Sequence, residues 1–251
     1  MSYTSTSIRS KWTKNNWLIK HQDLRKHVPS TMLFNKMNLT SMLSDYSIVY
    51  FKPTDGSGGF NIVRISKKSQ GYETQYKTVT SFHKTMNDLY NYLHRFSNKR
   101  SFLLQKGITL ARTNGKPFDI RVMVQKTNNG EWVSTAVCTK IGDSRKVATN
   151  YNQGGKIDYF HQTMSGAGYN SASIQKIEEK LKQLGVSVGN HFDHYIKGFR
   201  ELGLDVALDS KGELWILEVN TRPQIYPLKN LQDKELYQRI IYYAKQYGRF
   251  T

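Results

Sequence analysis

Three times along this 251-residue chain, a run rich in β-branched and aromatic residues meets a short glycine-bearing turn and is answered by a second such run. SIVYFKP and FNIVRIS flank TDGSGG, FDIRVMVQK and EWVSTAVCTKI flank an NNG turn at 128–130, and GLDVALD and LWILEVN flank an SKG turn at 210–212. Such pairs predict antiparallel hairpins, because a short turn can only return the chain alongside itself. Between them, helical spacing of Leu89, Tyr90, Leu93 and Phe96 predicts a helix over 84–97. Similar patterns predict a helix of roughly 25 residues after Ser171 and a last one over 233–247. The first thirty residues read as an amphipathic helix ending near Pro29, and residues 30–45 as a short strand and a helix. SFLLQ reads as a strand before a turn at Gly107, and the polar stretch 142–170 as a long loop. Strand pairs alternating with helices make the fold class α+β.

Several function classes are excluded early. No apolar run approaches the roughly 20 residues that span a bilayer, so no transmembrane helix is expected. MSYTSTSIRSKW lacks the apolar segment of a secretory signal, which points to a cytoplasmic protein. A single cysteine, Cys138, excludes an intramolecular disulfide framework and a Cys-rich zinc site; within WVSTAVCTKI it reads as a small core residue. The balance of 37 Lys and Arg against 19 Asp and Glu, a formal +18, attracts phosphates, acidic peptides or nucleic acid. The bases are scattered through KWTKNNWLIKH, RKH, SKKS, NKR and YAKQYGR, which argues against sequence-specific nucleic-acid recognition. His191 and His194 show no metal-ligand spacing and read as helix-surface residues.

Three constellations carry chemistry. In FKPTDGSGGFNIV, a strand lysine, Lys52, precedes a tip in which Gly56, Gly58 and Gly59 let backbone N–H groups approach a polyphosphate. No Gly-Lys-Ser/Thr follows, so this is not a Walker A loop, and a plain turn is the alternative. Across the last hairpin, Asp205 and Glu218 sit on strands that otherwise read as buried, where a carboxylate needs a cation. Asn220 lies two residues past Glu218 on the same face, and this oxygen set suits Mg²⁺ shared with phosphates; two acids neutralised by nearby bases are the alternative. In PFDIRVMV, Arg121 held by Asp119 could clamp a phosphoryl group or form a structural ion pair. Arg222, just after EVNT, offers a further cation near the acids.

In this order, the segments resemble the ATP-grasp carboxylate–amine ligases, and within them the endospore coat-associated ATP-grasp proteins of spore-forming bacteria. YFKPTDGSGGFNIVRI, PFDIRVMVQK, TNYNQGGK and ELGLDVALDSKGELWILEVNTRPQIYPLK carry the likeness, and the thirteen-residue spacing of Asp205 and Glu218 is its most diagnostic part. The resemblance implies two subdomains with antiparallel sheets that grip a nucleotide: a small lid over 47–105, and a larger core made of 106–251 with 1–46. It implies that Lys11 and Lys52 reach the nucleotide phosphates and that Gly56, Ser57, Gly58 and Gly59 form a flap over them. Gln105, Lys106 and Ile108 match the hinge that reads adenine. Asp205, Glu218 and Asn220 match Mg²⁺ ligands, Arg121 and Arg222 the cations facing the phosphoryl group, and Lys140 a basic phosphate contact. TNYNQGGK (149–156) would close over the reacting groups. Many relatives carry a further N-terminal substrate domain, which the residues before Lys11 are expected not to supply. The implied activity is ATP- and Mg²⁺-dependent activation of a carboxylate as an acylphosphate for amide formation with an amine, with a peptide or protein among the candidate substrates. A kinase using the same ATP site, or a non-catalytic basic module of the spore coat or of nucleic acid, are the alternatives. A spore-associated location follows from the same likeness.

Overall fold

The computed structural model describes residues 3–56, 58–143, 155–232 and 234–250. Two antiparallel sheets of six strands organise it. The first comprises β1 (Thr31–Leu33), β2 (Ile48–Pro53), β3 (Val63–Lys68), β4 (Gly71–Tyr76), β5 (Val79–His83) and β6 (Phe102–Lys106), in the order β1-β6-β2-β3-β4-β5. The second comprises β7 (Arg112–Thr113), β8 (Lys116–Lys126), β9 (Trp132–Ile141), β10 (Lys156–Tyr159), β11 (Glu201–Leu208) and β12 (Leu214–Asn220). Its order is β10-β9-β8-β11-β12, with β7 beside the start of β8. All three predicted hairpins are present: β2–β3, β8–β9 and β11–β12.

Helices α2 (Lys36–Asp45) and α3 (Met86–Ser97) cover one face of the first sheet. α3 starts at a capping box, in which the Thr85 hydroxyl accepts from the Asp88 N–H while the Asp88 carboxylate accepts from the Thr85 N–H. It ends where Asn98 turns left-handed. Its buried Leu89 and Leu93 meet Leu39, Met42 and Leu43 of α2 over Val49, Phe51, Ile65 and Leu104. Truncating Phe51 to Ala in this core would cost roughly 3–5 kcal/mol.

The second sheet is covered on both faces. α1 (Lys11–Lys20), α4 (Phe160–Gly166) and α5 (Ser171–Asp193) bury Trp17, Phe160, Leu181, Val188 and Phe192 against Ile120, Val122, Leu204 and Val206. On the opposite face a 3-10 turn at Tyr226–Asn230 and α6 (Glu235–Lys245) pack Ile225, Leu228 and Ile240 on Met123, Ala136 and Cys138. Cys138 is fully buried there, and burial pushes its thiol up to about 12, so it is a core residue and no nucleophile. Among the described residues no helix is long and apolar enough to cross a membrane.

Three expectations change. The N-terminal helix spans only Lys11–Lys20: Ser10 caps its start, and after it the His21 ring accepts from the Asp23 and Leu24 N–H groups, redirecting the chain. Residues 71–83, where no element was expected, form β4 and β5; β5 is an edge strand, mostly exposed, and lacks the apolar alternation that would announce it. The predicted loop 142–170 contains β10 and α4, because Lys156–Tyr159 extends the sheet by pairing with Ile141–Cys138. Residues 144–154 of that stretch lie outside the described residues.

Candidate active site

The site grows from one irregularity in β12. Asp205 pairs with Glu218 and Gly203 with Asn220, but Val206 pairs with Ile216, so Leu217 is one residue too many. Partners across an antiparallel ladder share a face, and an inserted residue shifts the alternation by one. Ile216 therefore joins Leu214 in the helix-covered core, whereas Glu218 and Asn220 turn to the other side with Asp205. Plain alternation would have kept Ile216 and Glu218 on one face. At the same bulge, the Leu217 carbonyl accepts a 3.2 Å hydrogen bond from Lys52 Nζ, linking the first sheet to the second.

On the other side of β11, Arg121 stands opposite Asp205, and beyond it Asp119 stands opposite Lys140 of β9. The expected Asp119–Arg121 pairing does not form. Asp119 meets Lys140 at 2.8 Å, while Asp205 Oδ1 receives Arg121 Nε at 2.7 Å and Lys140 Nζ at 2.9 Å. Residues two apart on a strand are roughly 7 Å apart, whereas cross-strand partners come within about 5 Å, so the ladder decides the pairing. Burial pushes the Asp205 carboxyl up, but Arg121 and Lys140 more than reverse this and hold it well below the usual carboxylate range. Burial also works against the Arg121 and Lys140 cations, and the facing carboxylates override it and raise both. This cluster is charged at neutral pH.

Two lysines approach from the pocket's other walls. Lys11, the first residue of α1, places Nζ 3.2 Å from Glu218 Oε1 and also donates to the Gly56 carbonyl of the flap. Its backbone N–H bonds the Thr54 carbonyl at 2.6 Å. Lys52 Nζ donates to Gln105 Oε1 at 2.8 Å, and burial lowers its pKa to about 8, with Glu218 partly opposing. Gln105 also donates to Thr31 Oγ1 at 3.2 Å, so both ends of its side chain are engaged and it holds Lys52 in place. Gly56, Gly58 and Gly59 hold φ of +106°, +74° and +74°, a region that disfavours any side chain. Ser57 and residues 149–154 of TNYNQGGK lie outside the described residues.

The hinge is only partly available. The Lys106 ammonium sits 5.4 Å from the Tyr46 ring and 4.8 Å from the Trp215 ring, and its backbone N–H bonds Ser30 O. The Gly107 N–H bonds Ile48 O at 2.8 Å, and a Cβ there would lie 2.5 Å from Ile48 Cγ2, so only glycine allows this approach. Of the segment's backbone donors, among the described residues, the Ile108 N–H is left for a ligand. Arg222 is not brought to the acids: it is exposed, its guanidinium 4.9 Å over the Tyr3 ring. A residue without a sequence signal joins instead. Lys14, one turn past Lys11, is buried in the same pocket, and burial lowers its pKa to about 8. Only its helical spacing from Lys11 could have pointed to it.

The donor set fits a divalent cation. Asp205 Oδ1 is taken by two cations, while among the described residues Oδ2 meets the Asn220 amide alone, at 3.4 Å, and one Glu218 oxygen faces Lys11. A half-turn of the Asn220 amide would present Oδ1 in place of Nδ2. Among the described residues no group of three or more His, Cys, Asp or Glu side chains could hold a metal by itself. Two carboxylates and an amide suit Mg²⁺, which keeps positions for phosphate oxygens.

The sequence matches the family described as YheC/D-like ATP-grasp over residues 1–250. The chain belongs to that family. Among curated proteins this ATP-grasp chain is similar to the endospore coat-associated protein YheD of Bacillus subtilis, 28% identical over 85% of this chain and 48% of the relative. It is also similar to the endospore coat-associated protein YheC of that organism, 23% identical over 88% of this chain and 61% of the relative. The chain thus spans 48% and 61% of the length of these two relatives. Its fold is like that of N5-carboxyaminoimidazole synthetase from Staphylococcus aureus complexed with ADP, with a TM-score of 0.55 at 11% identity, covering 97% of this chain and 52% of that one. The two antiparallel sheets are therefore an ATP-grasp fold, as the resemblance implied.

Proposed function

We propose that this chain is an ATP- and Mg²⁺-dependent ligase that activates a carboxylate for amide formation. The carrying observation is the convergence of Lys11 and Lys52, from two different walls, on the Glu218 side of the Asp205–Arg121–Lys140 cluster. Lysines on a pocket whose acids are already paired leave positive charge to receive a polyphosphate. Residues 47–105 would act as the lid, together with β1 and α2, which share the first sheet and its core, and the remainder as the core, with Lys11 tying the flap to α1.

In the reaction, a substrate carboxylate oxygen bonds the γ-phosphorus as the bond to the β–γ bridging oxygen breaks and ADP leaves. An amine nitrogen then bonds the acyl carbon, the carbon–oxygen bond to phosphate breaks, and the amine proton passes to solvent. Lys11 and Lys52 orient the phosphates, and Gln105 holds Lys52 in place. Among the described residues Arg121 meets Asp205 through Nε, which leaves its terminal nitrogens for the transferring group. Lys140 keeps Asp205 ionised and aimed. Mg²⁺ held by Asp205, Glu218 and Asn220 would neutralise charge on the phosphates. The +18 balance favours an acidic peptide or protein as substrate, and we extend the endospore-coat association of the relatives to this chain.

Thermal unfolding with and without millimolar Mg-ATP tests the nucleotide site, since a ligand bound only by the folded state raises the melting temperature. No shift and no calorimetric heat would remove the assignment. An ATP-consumption screen against amino acids and acidic peptides, with mass spectrometry of products, tests the reaction. An added amino-acid mass supports ligation, and an added phosphate supports the kinase alternative.

A further inference from the structure

Lys14 is 4% exposed, in a pocket that also holds Lys11, Lys52 and Glu218. Burying an ammonium is costly without a facing anion, and here the anions are too few. Lys11 sits 3.2 Å from Glu218, and Glu218 is also the strongest attracting charge for both Lys14 and Lys52. Asp205 attracts Lys14 and Lys52 more weakly and is already paired with Arg121 and Lys140, so Glu218 is the main counter-charge for three ammonium groups.

The packing of Lys14 gives no reason for its charge. Among the described residues its hydrogen bond goes to the Ile8 carbonyl at 3.2 Å, and that carbonyl already accepts from Thr221 Oγ1 at 3.2 Å. Removing the ammonium would leave no buried acceptor stranded. A methionine would fill the same volume without desolvation. Two of the three ammonium protons are free for a ligand.

We infer that Lys14 is an anion-binding residue of this pocket, forming with Lys11 and Lys52 a three-ammonium seat for the polyphosphate of a nucleoside triphosphate. The inference rests on the nucleotide reading above and adds to it a residue that no sequence motif marks. The surplus of positive charge is met when phosphate oxygens enter, which is also when the burial of Lys14 stops being unfavourable.

Calorimetry with Mg-ATP on the wild-type chain, Lys14→Met, Lys14→Arg and the surface control Lys67→Met tests it. Lys14→Met should weaken Mg-ATP binding about tenfold or more, the effect of losing a charged hydrogen bond. Its ligand-free melting temperature should hold or rise, Lys14→Arg should recover at least part of the affinity, and Lys67→Met should bind as the wild type does. Wild-type affinity in Lys14→Met would overturn the inference and leave the nucleotide reading standing. No Mg-ATP binding by the wild-type chain would overturn both. Should Lys14→Met not fold, the lysine Nζ resonances of the wild-type chain decide, with Lys14 assigned through Lys14→Arg. A Lys14 signal that moves with Mg-ATP supports the seat, and one that stays still overturns it.

Discussion

Glu201 and Asp205 lie four residues apart on β11 and face the same side of the second sheet, yet their surroundings differ in kind. Glu201 is fully buried, and both oxygens are taken: Oε1 accepts from Tyr3 at 2.7 Å and pairs with Arg249, and Oε2 accepts from Tyr247 at 2.8 Å. Gln125 donates to the Tyr247 hydroxyl at 2.7 Å and accepts from Thr135 at 2.6 Å, so the network is closed. Burial first, and then the Glu201 charge, push the Tyr3 phenol up to about 12 and that of Tyr247 higher, keeping both as donors. Among the described residues the Asp205 end instead gathers five cations, Lys11, Lys14, Lys52, Arg121 and Lys140, against three carboxylates. A balanced, closed cluster holds the chain's two ends to the sheet; an unbalanced one beside a pocket is built for a ligand. Four measurements would break or sharpen this contrast.

The largest effect is expected at the closed network. Glu201→Gln leaves Arg249 without its counter-charge and should lower stability by roughly 3–5 kcal/mol, read by denaturant unfolding. A loss below 1 kcal/mol would mean that the network is not what holds the termini.

At the open cluster activity should fall far more than stability. Glu218→Gln should cut turnover about a hundredfold or more, while stability falls by roughly 1–2 kcal/mol, less than at Glu201, because Lys14 and Lys52, each with a pKa of about 8, can shed a proton once their facing anion is gone. Activity and melting temperature on one sample decide it. Normal turnover would remove Glu218 from the site, and a large stability loss would make the two clusters alike.

A smaller effect is expected for Lys52→Ala, which should weaken Mg-ATP binding about tenfold by calorimetry. Lys67→Ala, on the exposed end of β3, should leave it unchanged. Equal losses in both would point to diffuse attraction by the net charge rather than a built seat.

The smallest, counted per lysine, is a pH effect with opposite signs for folding and binding. Lys14 and Lys52 titrate near 8 when folded against their usual 10.5, so between these values the unfolded chain holds more protons and ligand-free stability rises with pH. Mg-ATP needs the charged lysines, so its affinity should fall roughly threefold for each lysine, about tenfold for the two together, from pH 7.5 to 8.5. Affinity that is flat over this range would remove both lysines from the phosphate seat.

Much of this molecule is readable from local pattern. The three hairpins announce themselves because each turn and its flanking strands are contiguous, so alternation and glycine suffice. The Asp205–Glu218 opposition follows from the length of one short hairpin, and Lys52 followed by a glycine tip follows from one segment. The same logic fails for β4, only half-buried, and β5, mostly exposed, neither of which carries an apolar run, and for residues 3–10, which form no helix.

What depends on distance in sequence was decided only by the tertiary structure. Asp119 pairs with Lys140 and not with Arg121, because ladder neighbours are closer than residues two apart on a strand. Tyr3 meets Glu201 across 198 positions, a contact no local pattern encodes. Lys14 becomes a pocket residue only when α1 lies against β12 and β2 arrives from the other sheet. The bulge at Leu217 shows the division most plainly. By itself the sequence LWILEVN determined a strand carrying an acid and an amide on one face, but read with strict alternation it would have sent them into the core with Ile216. One extra residue in the pairing with β11 turns Glu218 and Asn220 to the pocket, because hydrogen-bond register, which belongs to two strands at once, sets which way a side chain points.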